Sequence, residues 1–421
     1  MNVMRLVTAC MLFAGAATAQ EPTQDDFAAA SAMWRELDAG RYLAADASVH
    51  DKAFGPDGKP QPGFIYDQWA QMQGLLTGEP APPAQGGEAL APAVADLAAL
   101  AGATTRNAID AIVERAKMTR LVILNEDHGS PRDRAFALMV ARALRPLGYD
   151  VLGIETLNNT ADDAEAAAMM AALARDGHAG RNTGVYLRDP VFADFLRQSL
   201  ALGYRPMAYE ITDHDRTSDI EARIAQREQA QADQVVRRAL DAHPASKVLL
   251  YVGFHHATER PEGESKRHWL ATRLKRMTGI DPLTIDQTTF NAYGAGDLAL
   301  YDRIADRAGT TPSILMAGGK PLVVGHYAGL VDLQVVHPRT TRIAGRPDWL
   351  TAMGRTPTPI PVELLPAQGT RLVQAFIATE GEDTIPLDQT LVTAGKTPPA
   401  LMLPSPGTGA VRYAVQDLTE P

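Results

Sequence analysis

Cysteine is almost absent from this sequence of 421 residues, because Cys10 is the only one. It lies in an N-terminal segment that has the features of a secretory signal peptide: Arg5, an apolar stretch over 6–16, and Ala17-Thr18-Ala19 before a cleavage site. Cleavage after Ala19 would remove Cys10, so we expect a periplasmic or secreted chain without disulfides. A cysteine nucleophile and thiolate metal ligands are then excluded, and a metal would need His, Asp and Glu.

Long hydrophobic runs and clusters of positive charge are also lacking. The apolar part of the signal is shorter than the roughly 20 residues that span a bilayer, and no other such run occurs, so we expect no stable membrane insertion. The net charge of −10 and the absence of a Lys/Arg cluster disfavour nucleic acid as a partner. A small-molecule or peptide substrate remains, and the sequence leaves the oligomeric state open. The G-x-S-x-G elbow of serine hydrolases and the Walker phosphate loop are missing as well.

Composition divides the chain into four parts. Residues 1–19 form the signal, and 20–100 form a helical arm with a Pro/Gly-rich linker. Residues 101–309 alternate short apolar runs with amphipathic helical segments, which predicts an α/β domain with a mainly parallel sheet flanked by helices. Residues 310–421 are rich in strand candidates, prolines and glycines, and form either a separate β-rich domain or an antiparallel extension of the sheet.

Four of the predicted strands end in a carboxylate, a histidine or both. Residues 121–124 precede Asn125-Glu126-Asp127-His128, and 151–154 precede Glu155. Residues 206–209 precede Glu210, and 248–252 precede Gly253-Phe254-His255-His256. The carboxyl ends of parallel strands lie along one edge of a sheet, where ligands bind. The pattern therefore predicts one site at this edge.

Such a cluster can activate water in two ways. A histidine can act as a general base that carboxylates orient. Alternatively, His and Glu can hold a divalent metal ion that lowers the pKa of bound water, with His128, His256 and Glu126 as the ligands.

The same residues resemble the superfamily that joins erythromycin esterase-like proteins, ChaN-like haem-binding proteins and TraB/TIKI proteins, and the ChaN-like branch most of all. The pattern consists of two G-x-x-H motifs, here 125–128 and 253–256, with Glu155 and Glu210 on intervening strands and Arg227 on a helix before the second motif. The resemblance covers about 104–287. It implies ester hydrolysis by a histidine-activated water, metal-dependent proteolysis, or haem binding, depending on the branch.

The first glycine of the pattern is Asn125 here. Asparagine tolerates a left-handed backbone better than most residues, so we expect the fold to survive this change. A scaffold that has lost its activity is one consequence that the change leaves open.

Each candidate also has a purely structural interpretation. His128 could pair locally with Asp127 or Arg132, and Glu155 and Glu210 could pair with a nearby arginine or cap a helix. Arg227 could belong to a solvated helix face with i,i+4 ion pairs. Strand alternation predicts that His255 faces away from His256. Five further histidines lack supporting neighbours and are interpreted as structural or exposed: His178, His243, His268, His326 and His337.

The leading prediction is an exported hydrolase that attacks an ester or amide with water. His128 is the general base or a metal ligand, oriented by Glu126 and Glu155. His256 and Glu210 form the second side of the site, and Arg227 binds an anionic group. The alternative is a non-catalytic haem-binding protein with Tyr209, Tyr251 or His214 as axial ligand. Asp213 and His214 are outer candidates for the site.

Overall fold

The computed structural model describes residues 22–82, 84, 93–213, 219–292, 298–404 and 409–417. The predicted signal peptide and His214 lie outside these residues. Within them, we find no helix with the length and apolar character needed to cross a membrane.

A mixed sheet of nine strands forms the centre of the molecule, with the order β1-β7-β9-β6-β2-β5-β3-β4 and β8 paired to β7. The six strands β2, β3, β4, β5, β6 and β9 run parallel, and β1, β7 and β8 are antiparallel to their neighbours. The strands are β1 (Thr104–Asn107), β2 (Leu121–Glu126), β3 (Tyr149–Ile154), β4 (Arg205–Met207), β5 (Lys247–Gly253), β6 (Leu283–Phe290), β7 (Ser313–Ala317), β8 (Lys320–Pro321) and β9 (Leu333–Val336).

Helices cover both faces of this sheet, as the alternating pattern predicts. Those that follow the first strands begin at conventional N-terminal signals, such as Pro131 at the first position of α6 and the Asp219 side chain that caps α9. The helices are α1 (Gln24–Asp38), α2 (Tyr42–Ala53), α3 (Phe64–Thr77), α4 (Val94–Ala101), α5 (Ala108–Ala116), α6 (Pro131–Leu144), α7 (Asp163–Asp176), α8 (Pro190–Ala201), α9 (Ile220–Val235), α10 (Leu270–Thr278) and α11 (Leu298–Ile304).

The N-terminal helices share a hydrophobic core with the α/β part. Met33, Trp34 and Leu37 of α1 belong to the same buried cluster as Tyr186 and Leu187, which lie on a short 3-10 helix before α8. The Tyr42 hydroxyl donates to the Arg188 carbonyl over 2.8 Å. The predicted helical arm is thus packed against the segment that carries Tyr186.

The C-terminal part combines the two arrangements that the sequence left open. Strands β7, β8 and β9 extend the central sheet, and β7 and β8 form the hairpin that Gly318-Gly319 predicts. The later strands form separate small sheets, in the orders β14-β13-β16, β12-β15 and β10-β11. These strands are β10 (Arg342–Ile343), β11 (Arg346–Pro347), β12 (Arg355–Thr358), β13 (Thr370–Ile377), β14 (Asp388–Thr393), β15 (Leu401–Pro404) and β16 (Val411–Asp417).

Buried ion pairs attach these small sheets to the rest of the molecule. Arg355 of β12 donates through Nη2 to Asp194 of α8 over 2.9 Å. Both side chains are almost fully buried, and Arg197 beside Asp194 and Asp388 beside Arg355 extend the pair into a network of compensated charges.

Candidate functional site

Register across the sheet brings the predicted strand ends together. β2 and β5 are neighbours, and Glu126 lies beside Gly253 in the parallel register. β3 lies on the other side of β5, where Ile154 pairs with Tyr251 and Glu155 follows directly. The ends of three adjacent strands therefore place Glu126, Glu155 and the 253–256 turn at one edge.

Glu126 and His128 form an oriented pair. The Nδ1 atom of His128 lies 2.8 Å from Glu126 Oε1, and because a carboxylate only accepts, Nδ1 carries the proton. Arg134 of α6 donates to Glu126 Oε2 over 2.9 Å and to the His128 carbonyl over 2.7 Å. Burial alone would raise the pKa of Glu126, but Arg134 and His128 hold it below its usual value. Glu126 is thus a carboxylate, and its hydrogen bond with Nδ1 leaves Nε2 as the ring nitrogen of His128 outside this pair.

Two aromatic rings and Gly253 surround the His128 imidazole and fix it. Tyr186 stacks on it with ring centroids 4.3 Å apart, and Phe254 meets it edge-on at 5.3 Å. Phe254 has a φ of 34°, a backbone conformation that bulky residues rarely adopt and that recurs at functional sites. The His128 side chain remains 19% exposed, so a ligand can reach it.

Arg227 lies at the centre of the second half of the site. It binds Glu210 with two atoms, Nε to Oε1 at 3.0 Å and Nη2 to Oε2 at 2.5 Å, and Nη2 also donates to Glu155 Oε1. The other Glu155 oxygen accepts from the Gly253 N–H over 2.6 Å. Burial would raise the pKa of Glu155, but the positive charges of His256 and Arg227 hold it well below its usual range. The Arg227 side chain is only 16% exposed. It therefore belongs to the site and not to a solvated face of its helix, which was the alternative interpretation.

His256 lies between two carboxylates. Its Nδ1 atom is 2.9 Å from Glu228 Oε2, and its Nε2 atom is 3.3 Å from Glu155 Oε1. Burial lowers the pKa of His256, but Glu228 and Glu155 outweigh burial and raise it to about 10. At neutral pH the imidazole therefore carries a positive charge, which the two carboxylates compensate.

The structure thus brings together all six predicted site residues: Glu126, His128, Glu155, Glu210, Arg227 and His256. Metal binding by His128, His256 and Glu126 stays a prediction: Glu126 accepts hydrogen bonds from Arg134 and His128 through its two oxygens, and His256 lies between Glu228 and Glu155. In the part of the chain that the structure describes, one group of three His or acidic residues has converging ligand atoms, and it consists of His255, Glu262 and His326.

Two proposed haem ligands are buried in the core instead of facing the site. Tyr209 is fully buried and its hydroxyl donates to the Tyr251 carbonyl over 3.1 Å. The Tyr251 ring packs edge-on against Phe192 and Phe195. Neither phenol is available to a bound haem, and the third proposed ligand, His214, lies outside the described residues. The outer candidate Asp213 is exposed at the edge of the described chain.

Asn125 differs from its expected conformation. It lies within β2, has no positive φ, and its buried side chain donates to the Phe254 carbonyl over 3.2 Å and to Asp286 over 3.0 Å. The fold accommodates asparagine because the amide links β2 to the turn and to β6, not because the backbone is left-handed. Residues 105–107 belong to β1, and the Asn107 side chain caps the helix that follows by accepting from the Asp110 N–H.

Sequence reasoning missed several partners in the site. Arg134 lies six residues after His128 on a helix, and Glu228 directly follows Arg227, but no local pattern reveals that their side chains turn inward. His326 was interpreted as having no supporting neighbour, which is wrong: its Nε2 atom lies 3.1 Å from His255 Nδ1. His255 contacts Glu262 and not the partners of His256, but strand alternation is not the reason, because both histidines lie on a 3-10 helix after β5.

Comparisons with known proteins give only distant similarity. No protein-family model matches the chain. No curated protein matches it either. Among solved structures, it is similar to a chain described as a bacterial protein toxin, with 16% identity and a TM-score of 0.33 over 60% of this chain; the match spans only 43% of that toxin. It is also similar to ChaN of Campylobacter jejuni, described with cofacial haem binding (8% identity, TM-score 0.33, 54% of this chain and 91% of that one). A third similar structure is RRSP, a MARTX toxin effector domain from Vibrio vulnificus, with 14% identity and a TM-score of 0.33. The match covers 57% of this chain and 54% of that chain.

Proposed function

We propose that this chain is an exported hydrolase that cleaves an ester or amide bond with a water molecule activated by His128. One observation carries the proposal. The imidazole of His128 is partly exposed, and its Nδ1 atom donates to Glu126 Oε1. Arg134 donates to the other oxygen of Glu126 and so fixes the carboxylate. A base oriented in this way keeps Nε2 available to accept a proton, as a carboxylate-oriented histidine does in other hydrolases.

The reaction follows from these positions. As the water oxygen bonds to the carbonyl carbon of the substrate, Nε2 of His128 takes one water proton, and Glu126 stabilises the imidazolium that forms. The carbonyl oxygen becomes an oxyanion, and its proposed donor is Nη1 of Arg227 on the other side of the site, which lies 3.3 Å from His256 Nε2 while Nε and Nη2 bind the glutamates. The oxyanion then re-forms the carbonyl, the bond to the leaving alcohol or amine breaks, and His128 returns its proton to that group.

The glutamates hold this arrangement and are not bases themselves. Glu155 accepts from Arg227 and from the Gly253 N–H, and Glu210 accepts from Arg227, from Gln231 at 3.1 Å and from the Ile211 N–H at 2.8 Å. The positive charges of His256 and Arg227 hold the pKa of Glu155 well below its usual range, so this carboxylate binds a proton weakly. The role of both glutamates in the proposal is to orient the guanidinium.

The test is hydrolysis by the purified mature chain. The probes are p-nitrophenyl acetate and butyrate, a macrocyclic lactone, and a mixture of internally quenched peptides, each with and without EDTA. We expect His128→Ala to lower the rate on the cleaved probe by about 10²–10⁴-fold, with an unchanged circular dichroism spectrum. His243→Ala is the matched control, since His243 is exposed and remote from the strand ends.

The outcomes separate the alternatives. Equal rates for wild type and His128→Ala would refute the role of His128. No hydrolysis of any probe by the folded wild type would refute the hydrolase proposal for these substrate classes. Hydrolysis that EDTA abolishes would support the metal-assisted mechanism. A Soret band on titration with haemin would favour the haem-binding alternative.

A further inference from the structure

A second cluster of ligating side chains lies on the opposite side of the turn that carries His256. His255 precedes His256 but its ring faces Glu262 and His326. These three residues come from separate segments: the turn after β5, the loop before α10, and a short 3-10 helix after β8. None of them contributes to the arrangement of His128, Glu126 and Arg227.

Three ligand atoms converge on one point in this cluster. His255 Nδ1 lies 3.0 Å from Glu262 Oε1 and 3.1 Å from His326 Nε2, and His326 Nε2 lies 2.5 Å from the same glutamate oxygen. A tetrahedral zinc ion with Zn–N distances of about 2.0–2.1 Å separates its ligand atoms by about 3.3 Å. Two of the three separations are within about 0.3 Å of that value, so a small outward movement of His326 would admit an ion.

Surrounding groups orient the inner two ligands. The indole Nε1 of Trp269 donates to the second oxygen of Glu262, which leaves Oε1 directed at the histidines. The His255 ring stacks on the Trp269 ring at 5.4 Å and lies 5.7 Å from Tyr327. Outer partners of this kind are what holds the ligands of metal sites in position.

Exposure of the third ligand gives access from solvent. The His326 side chain is 56% exposed, whereas those of His255 and Glu262 are 22% and 13% exposed. An ion can therefore enter from the surface and meet two ligands that are already held in place.

We propose that His255 Nδ1, Glu262 Oε1 and His326 Nε2 bind one divalent transition-metal ion, with zinc the best match. Two imidazoles and one carboxylate suit zinc and its neighbours, whereas magnesium and calcium take oxygen ligands. Three protein ligands leave a fourth position for water. The ion ties the turn after β5 to the extension of the sheet at His326, and it is separate from the proposed hydrolytic site.

The experiment uses the untagged mature chain, stripped of metal with a chelator and dialysed. Zinc chloride is titrated by calorimetry, and cobalt(II) is added in parallel because tetrahedral coordination gives intense visible absorption. We expect one ion per chain. Since loss of outer partners alone costs 10–100-fold in metal affinity, loss of a ligand in His326→Ala or Glu262→Gln should weaken binding by at least about 100-fold.

Matched variants keep the outcome decisive. His268→Ala, on the same loop as Glu262, should bind zinc as the wild type does. His326→Ala changes an exposed side chain, so its folding is checked by circular dichroism and expected to be normal. No stoichiometric binding by folded wild type would overturn the proposal, as would binding that persists in His326→Ala or is lost in His128→Ala. The hydrolase proposal is untouched by any of these results, because its own test is the rate of His128→Ala.

Discussion

Gly253 lies directly against the imidazole of His128. A Cβ atom at position 253 would be 2.6 Å from both Cε1 and Nε2 of His128 and 3.2 Å from Glu155 Oε2. The φ of Gly253 is −80°, which any residue can adopt, so the glycine is needed for space and not for backbone freedom. The strand that supplies Glu155 with an N–H donor thus also makes room for the proposed base.

We therefore expect Gly253→Ala to displace the His128 ring. A displacement on the order of 1 Å in a catalytic group can cost about 100-fold in rate, so hydrolysis should fall by that order while the chain stays folded. The measurement is kcat together with the NMR resonances of the imidazole. Gly102→Ala is the control, because its φ is −96° and a Cβ there has open space. An unchanged rate in Gly253→Ala would show that the contact does not position the base.

The sequence predicted much of the fold because its strands are buried on both sides. Residues 121–126 and 247–253 are almost entirely buried, and such strands appear as continuous apolar runs bounded by helices. Their polar ends could be recognised for the same reason, since a carboxylate or histidine after a buried run must lie at the sheet edge. Three glutamates and both motif histidines were predicted in this way, whereas Arg227 lies on a helix and was predicted from the resemblance.

What the sequence could not predict depends on contacts between distant segments. Arg346 pairs with Asp388, which is 42 positions away in the sequence. Arg355 pairs with Asp194, which is 161 positions away. His326 lies on the short 3-10 helix after β8 and contacts His255, and no spacing rule links these two residues. The metal ligands stay a prediction for a related reason: a histidine at a strand end can be a ligand or an imidazolium, and no sequence pattern reveals that Glu228, on another element, lies beside His256.

Glu126→Gln should separate orientation of the base from folding. The amide keeps the shape of the side chain but removes the negative charge that stabilises the His128 imidazolium, and loss of the equivalent charge in carboxylate-oriented histidines costs up to about 10⁴-fold. We expect a fall of about 10²–10⁴-fold in kcat with little change in KM. Arg134 keeps Asp189 as a partner at 2.5 Å, so the chain should still fold. A variant that retains the wild-type kcat would exclude Glu126 from catalysis.

Arg227→Lys tests the forked contacts of the guanidinium. Lysine keeps the charge but cannot donate to Glu210 through two nitrogens while also reaching Glu155. Leaving buried charges partly unpaired should lower the free energy of unfolding by about 1–3 kcal/mol. Arg237→Lys is the control, because Arg237 forms an exposed pair with Asp163 and should change stability by less than about 1 kcal/mol. Urea denaturation of the three proteins measures the difference, and equal losses in both variants would contradict the special role of Arg227.

The pair between Asp194 and Arg355 should make the small C-terminal sheets depend on pH. Burial would raise the pKa of Asp194, but Arg355 and Arg197 hold it below its usual value. Because Asp194 is buried, Asp194→Asn at pH 7 leaves Arg355 with only the longer contact to Asp388 at 3.6 Å, which Arg346 shares, and should cost about 3–5 kcal/mol.

The sign of the pH effect follows from the lowered pKa. The stability that the carboxylate contributes is present above the unfolded-state pKa of about 3.9, and it is lost as pH falls from there toward the lower pKa of the folded state. The asparagine variant has no proton to gain at this position, so the stability gap between wild type and Asp194→Asn should be widest near pH 7 and narrow below pH 4. The gap can narrow by at most about 1.4 kcal/mol per pH unit. Denaturation curves for both proteins between pH 7 and pH 3 measure it, with Asp241→Asn as the exposed control. A gap that stays constant over this range would mean that Asp194 is not held ionised by Arg355 and that the β12 strand is attached to α8 by packing instead.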